Sequence, residues 1–467
     1  MIILGTNSIK ETGYDVANSV RMNRGDSPSF TRSVSSNGDF NNNTLSMWVK
    51  KCSNGIDTNR LWLEFENGTN YEEVRFKDDD TLRIYSESGG GTYFEIITNR
   101  KFRDTSAFYH ICVIYDYSQA TNTNRIKLFI NGVQETSFST FSVPNQGANS
   151  SMNKSGNTVY VGAYPTGSNY FDGYLAEMVW LDGTSASVTD FGEFDEDSGI
   201  FKPIDVSGLT AGTNGWYMDY ESSGSLGNDV FGSNNFTVNN LTAIDQSTDT
   251  CTNNFCTLNP LNMSNSGYVF SEGNLKGTVS GAWLGGTSTF FVNKGKWYWE
   301  VKYGSGNFGL GIGQAETNAT DIRLVSTNNH GYVSYHVGGF EFFQNGSDTF
   351  NRTNNGNIGS YGSQATSGQI VMIAYDADNG KLFAGRQGTF FNSSNPANGT
   401  SPMFTVTSSA YFTPSLSIEG GVHEMNFGSP PYSESGGETD ADGYGNFAHA
   451  PPSGFFSLCT KNLAEYG

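Results

Sequence analysis

Charge is scarce in this 467-residue chain: only 15% of residues are charged, and 26 Lys+Arg stand against 46 Asp+Glu, a formal net charge of -20. So acidic a chain lacks the cations that neutralise a phosphate backbone, which excludes an ordinary nucleic-acid binder. No stretch approaches eighteen consecutive apolar residues, so no membrane-spanning helix is expected. The opening run from Met1 to Gly5 is too short, and without basic residues ahead of it, to read as a secretory signal. The expected location is therefore the cytosol, or a route out of the cell that reads no signal. Without secretion, the Asn-x-Ser/Thr triplets at Asn67, Asn235 and Asn398 follow from composition rather than glycosylation. Cysteine is also scarce and odd in number. Cys52, Cys112, Cys251, Cys256 and Cys459 do not make a disulfide framework for a chain of this length. Cys251 and Cys256 read as loop thiols, a small disulfide or half a metal site, and no second Cys/His pair stands at finger spacing. Helical periodicity is nearly absent, with one turn near Ser187 to Phe191.

What the chain does have is 57 Gly, 34 Phe, 24 Tyr and 7 Trp. Large rings bury about 150–250 Å² each, so few of them supply a core. Between Lys296 and Tyr303 the residues alternate: Trp297, Trp299 and Val301 on one face, Tyr298, Glu300 and Lys302 on the other. Period two predicts a half-buried antiparallel strand. Ile126, Leu128 and Ile130 alternate likewise and run into Asn131-Gly132, the preferred pair for a type I′ hairpin. The device recurs: an apolar strand ending in Tyr115-Asp116 and then Lys127-Leu128-Phe129 is echoed by Tyr375-Asp376 and Lys381-Leu382-Phe383. Copies so far apart point to two separate sandwiches rather than a solenoid. The expected fold is all-β, with two antiparallel jelly-roll β-sandwiches in tandem. The expected organisation is a first sandwich over 1–205, a strand-bearing connector rich in Gly, Ser, Asn and Thr over 206–265, and a second sandwich over 266–467.

Residues 44–50, 109–116, 127–132 and 170–177 together resemble a laminin G-like, concanavalin A-like lectin domain, the last through Phe171-x-Gly173-x-Leu175-x-Glu177. Residues 295–301, 308–313, 375–383 and 425–428 resemble a SPRY domain. The pair, with stretches 191–203 and 253–260, is similar to virion proteins of marine tailed phages. That resemblance implies a particle-surface or tail-fibre role, assembly in the host cytoplasm and exposure on the virion.

Several groupings invite chemistry. Gly304-x-Gly306-x-x-Gly309 matches a dinucleotide fingerprint, but strand-like sequence follows where a helix is required. Glu193, Asp195 and Asp197 could pair as glycosidase acids, but a loop beside Gly199 is the simpler reading. Calcium is a candidate cofactor, with Asp116, Asn122, Asn124 and Asp172 as oxygen ligands and Asp376 as a further one. The competing reading is that Asp116 and Asp376 cap turns through their own backbone. His110, on a strand with Cys112, is expected to be packed rather than catalytic. For sugars, Tyr164, Tyr170 and Phe171 offer rings beside a loop-like segment, with Asn169 and Asp172 to hydrogen-bond hydroxyls. The expected function is non-enzymatic binding of a host-surface glycan or a neighbouring virion protein. A polysaccharide depolymerase and a ligand-free capsid-decorating protein remain as alternatives. Open sheet edges predict a homo-oligomer, with a trimer the expected order.

Overall fold

The computed structural model describes residues 8–56, 59–165, 167, 169–263, 267–314, 339–353, 356–406, 410–434 and 437–467. The opening residues read above for a signal lie outside these. The chain divides into two units, residues 12–252 and residues 253–467 together with the segment before Thr12. The fold is all-β, built from antiparallel jelly-roll sandwiches; one α-helix, Thr460–Tyr466, is present among the described residues. No helix among them is long and apolar enough to cross a membrane.

In the first unit the strands run β1 (Ser19–Met22), β2 (Ser29–Ser33), β3 (Asn42–Lys51), β4 (Asn59–Asn67), β5 (Asn70–Phe76), β6 (Thr81–Ser88), β7 (Gly91–Lys101), β8 (Tyr109–Asp116) and β9 (Ile126–Ile130). They continue with β10 (Val133–Gln134), β11 (Phe138–Ser142), β12 (Thr158–Val161), β13 (Gly173–Asp182), β14 (Gly192–Phe194), β15 (Phe201–Pro203), β16 (Trp216–Met218), β17 (Thr237–Asn239) and β18 (Gln246–Ser247). One sheet has the order β10-β9-β8-β3-β13-β1-β18, with β16 also on β13; the other has the order β11-β7-β6-β5-β4-β12-β2-β17. Residues 206–252 thus supply strands to both sheets. The hairpin expected at Asn131-Gly132 forms: Val133 pairs with Ile130, and both turn residues have positive φ, 49° and 76°.

Alternation explains the layers. Leu45, Met47, Val49, Ile111, Val113, Leu175 and Trp180 of the first sheet face Phe30, Trp62, Val74, Ile84, Phe94 and Val159 of the second. Trp62 stacks on Trp180, centroids 5.0 Å apart. Fully burying one such side chain contributes roughly 1.5–3 kcal/mol. The first sheet is apolar on its outer side too. Trp48, Cys112, Ile114, Val179 and Leu181 are covered there by Val188, Phe191, Phe201 and Val206. Its strands therefore read as near-continuous hydrophobic runs, as β13 does with all ten residues buried. The second sheet carries charged residues and tyrosines on its outer side, among them Glu73, Arg75, Arg83 and Tyr85.

In the second unit the strand Lys296–Gln314 pairs with Ile370–Asp376 along one part of its length and with Phe412–Asn426 along much of it. The expectation of a half-buried strand is corrected here. Tyr298 and Glu300 are as fully buried as Trp297 and Trp299. The second face packs beside Met372 and Phe383 of the neighbouring strands and under Tyr432, Phe447 and Phe455, which the C-terminal segment brings over it. The glycine-rich stretch from Gly304 to Gly309 lies inside this 19-residue strand, so the helix a pyrophosphate site requires is replaced by strand.

Two carboxylates are buried inside the first sandwich. Glu64 and Glu72 are cross-strand partners. Glu64 accepts from Asn157 Nδ2 at 2.8 Å, and Glu72 from Ser150 Oγ at 2.9 Å. Burial pushes Glu64 up to about 7, against hydrogen bonds and Arg32, which pull it down. A raised carboxyl contributes stability below its unfolded pKa near 4.5 and loses it as pH climbs through about 7. Glu64→Gln should therefore flatten the fall in melting temperature between those two pH values, a difference on the order of 1–3 kcal/mol. Parallel pH–melting curves for the two proteins check it.

Candidate functional site: the polar face of the second sheet

Register builds this face residue by residue. Across the sheet, Tyr160, Leu63, Glu73, Tyr85 and Glu95 form one row. Thr158, Phe65, Tyr71 and Glu87 form the row on one side of it. Arg60, Arg75 and Arg83 form the row on the other. A bulge between Arg60 and Trp62 turns Arg60 outward while both Leu61 and Trp62 stay in the core.

Three guanidinium groups side by side would repel one another. Glu73, wholly buried beneath them, answers that repulsion. Its Oε2 takes Arg60 Nε at 2.8 Å, and its Oε1 takes Arg75 Nε at 2.8 Å and Arg83 Nη1 at 3.4 Å. Arg83 Nε also pairs with Glu95 at 2.7 Å. Two guanidiniums lie over rings: Arg83 on Tyr85 at 3.7 Å and Arg60 on Tyr164 at 4.5 Å. Arg60 Nη1 is buried with no hydrogen-bond partner. Beside this border, half-buried Phe65, Tyr71, Tyr160 and Tyr164 form a connected group of rings. Phe65 meets Tyr164 edge-on at 5.9 Å and Tyr160 at 6.4 Å, and Tyr71 meets Tyr164 at 6.1 Å and Tyr85 at 5.7 Å. Burial, then Glu73 and Glu87, raise the Tyr71 hydroxyl above the usual phenol range, so it stays a neutral donor. Rigid rings beside fixed guanidinium donors can stack on a sugar ring and hydrogen-bond its hydroxyls or an acidic substituent.

The residues expected from sequence distribute unevenly. Tyr164 is part of the ring group. Asn169 is a turn residue in the left-handed region, φ 64°. Tyr170 lends its carbonyl to Arg24 Nε at 3.1 Å. The Asp172 carbonyl accepts from Cys52 N at 3.0 Å. Burial raises the Asp172 carboxyl and Arg24 draws it back. The proposed calcium set is corrected as a single site. Asp116 pairs with Asn42 at one end of β3, and Gly173, next to Asp172, pairs with Lys51 at the other. Nine residues of strand, roughly 30 Å, separate them. Asp116 accepts from Ser118 N at 3.1 Å and from Gln119 Nε2 at 2.6 Å, and Asp376 accepts from Asn379 N at 3.0 Å, as turn caps do. Asn122 and Asn124 bound a 3₁₀ turn and make no bond to Asp116. Among the described residues no cluster of three or more His, Cys, Asp or Glu side chains is gathered as for a metal. His110 sits between Trp48 and Phe201, bonds Ser46 Oγ at 2.9 Å, and is lowered to about 3 by burial. Asp195 accepts from Ser198 N at 2.9 Å in an exposed turn, and Glu193 pairs with Lys202. All five cysteines are free thiols.

Residues 24–186 match the family model described as concanavalin A-like lectin/glucanases superfamily (Laminin_G_3). The first unit thus carries a laminin G-like, concanavalin A-like lectin domain. A search of curated proteins gave no match. Solved structures similar to this chain include a putative carbohydrate binding protein from Bacteroides ovatus, at 15% identity and TM-score 0.34, covering 48% of this chain and 59% of that one. The mouse laminin alpha1 domains LG4-5 align at 10% identity and TM-score 0.30, covering 88% and 89%. The human HERC1 SPRY domain aligns at 13% identity and TM-score 0.26, covering 36% and 96%.

Removing the shared carboxylate tests the construction of the face. Glu73→Gln should destabilise the protein by about 3–5 kcal/mol, because it leaves buried guanidinium charge uncompensated. Adding Arg75→Gln should recover part of the loss. Chemical denaturation of the single and double variants measures both.

Proposed function

We propose that the first unit binds a carbohydrate chain laid along the polar face of its second sheet, with sugar rings on Tyr160, Tyr164, Phe65 and Tyr71 and an acidic substituent toward the arginine border. The observation that carries this reading is the contiguity of that ring group with Arg60, Arg75 and Arg83 on a lectin-type sandwich. The arginines matter because they stand against the charge of the whole chain, -20. A local row of guanidinium groups attracts carboxylate or sulfate groups where the rest of the surface repels them. The role is binding rather than catalysis. The setting we propose is the surface of a tailed-phage particle, supported by the sequence resemblance of stretches 191–203 and 253–260. There a homo-oligomer would multiply weak single contacts into avidity.

Acidic polysaccharides such as alginate and dextran sulfate should bind more tightly than neutral dextran, and the preference should shrink as salt is raised. Tyr164→Ala should weaken binding about tenfold, equal to about 1.4 kcal/mol, and Arg83→Ala should reduce the acidic-over-neutral preference. Calorimetric titration of the three polymers into each protein decides it. Equal, unaltered affinities in both variants would contradict the reading.

A further inference from the structure

The same sheet face continues past the rings into a cleft of about 310 Å³ between β17, β2 and β12. Its lining includes Thr31, Ser33, Thr158, Ser233, Asn235 and Thr237. We infer that this cleft is a second subsite, shaped for one neutral, hydroxyl-rich sugar unit of the chain whose next units lie on the rings. The inference deepens the carbohydrate reading of the face and rests on it.

The lining argues for the ligand class. It is composed of hydroxyls and amides and holds no aromatic or large aliphatic side chain, which suits neither a lipid nor an aromatic compound. The hydroxyls of Ser33, Thr158, Ser233 and Thr237 take no part in the hydrogen bonds formed among the described residues, so they are available as donors and acceptors. Hydroxyl groups that can do both match the equally ambivalent hydroxyls of a sugar. The one charged residue in the lining is Arg32, and its guanidinium is already engaged. Nη2 donates to Asn234 Oδ1 at 2.6 Å and Nη1 to the Asn214 carbonyl at 3.4 Å. The carboxylates of Glu64, Asp229 and Asp182 also act on it. An anionic ligand would therefore find no free cation in the cleft, whereas a neutral polyol would find hydroxyls free to pair with its own.

Register makes the cleft and the rings one path. Thr237 pairs with Thr31, Thr31 with Tyr160, and Tyr160 with Leu63 beside Glu73. Ser33 pairs with Thr158, and Thr158 with Phe65. From β2 to β5 is three strand spacings, roughly 14 Å. A ligand reaching from cleft to arginine border is thus longer than one sugar ring. The polarity grades along it, from neutral hydroxyls through rings to guanidinium groups. The cleft would then select the neutral unit at one end of the chain, and the arginine border the acidic unit further along.

Saturation-transfer NMR on the full chain with D-glucose, D-galactose and D-mannose tests this, alongside titration of an acidic oligosaccharide. At least one hexose should give a signal. Ser233→Trp, which fills the cleft from an exposed loop, should abolish that signal. Thr158→Val with Thr237→Val, which keeps the β-branched shape and removes the hydroxyls, should weaken hexose binding about tenfold. Tyr164→Ala should leave the hexose signal in place while weakening the acidic oligosaccharide. Circular dichroism melting confirms that each variant folds. Hexose signals that persist in both cleft variants would overturn the subsite. So would an acidic oligosaccharide that binds wild type and cleft variants alike with no hexose signal at all, leaving the ring face standing. Binding of neither ligand would bring down the face and the cleft together.

Discussion

The carboxylate of Glu73 holds the open face of the second sheet together. Three arginines meet on neighbouring strands above it, and without a shared counter-charge that register would be repulsive. With it, Arg60 and Arg75 are fixed through their Nε and Arg83 through its Nη1, and the Arg60 and Arg83 groups settle on tyrosine rings. The rest of the first unit explains why such a face exists at all. The first sheet is dry on both sides, packed inward on the sandwich core and outward on the excursion that carries Val188, Phe191 and Phe201. The second sheet has only its inner side in the core. Its outer side is free to carry polar and aromatic residues whose arrangement stability alone does not require.

A site built this way differs from one built on loops. Strand residues are held by ladder hydrogen bonds and by their cross-strand neighbours, and Tyr164 by its contacts with Phe65, Tyr71 and Arg60, so the rings and guanidiniums are ordered before any ligand arrives. Less ordering entropy is then lost on binding. Sugars are strongly hydrated and gain little from burial, so preorganised stacking and fixed donors are the economical way to hold them. A flat row of this kind suits an extended chain rather than a single sugar, and the cleft between β17 and β12 adds a walled volume at one end of it.

Much of the fold was legible in the sequence. Alternation gave Trp297, Trp299 and Val301 a common face, Asn131-Gly132 marked its hairpin, and the echo of Tyr115-Asp116 in Tyr375-Asp376 pointed to two sandwiches of similar design. What was not legible is what covers a sheet from outside. Tyr298 and Glu300 look solvent-facing by period, yet residues more than a hundred positions away bury them. The site was less legible still. Of the five residues expected to hold a sugar, Tyr164 alone joins the ring group and Phe171 turns into the core, because a loop-like flank in sequence does not reveal which way a ring turns. Asp116 and Asp172 looked equivalent as acidic positions until pairing with β3 set them at its opposite ends. A usable signal did exist. In Tyr71-Glu72-Glu73-Val74-Arg75 and Arg83-Ile84-Tyr85 the polar face carries Arg and Tyr where Lys, Ser and Thr would serve for solubility. Recognising them as one cluster required the register of four strands.

On this reading ligand contacts lie on the strands of the second sheet and on Tyr164 just past β12, and not on the loops around Asp116 and Asp172. Hydrogen–deuterium exchange of the full chain, with and without an acidic oligosaccharide, addresses it directly. Added protection is expected in peptides spanning 60–87 and 158–164, with little change in those spanning 116–124 and 169–172. Protection confined to the two loop regions, with the strands unchanged, would contradict it.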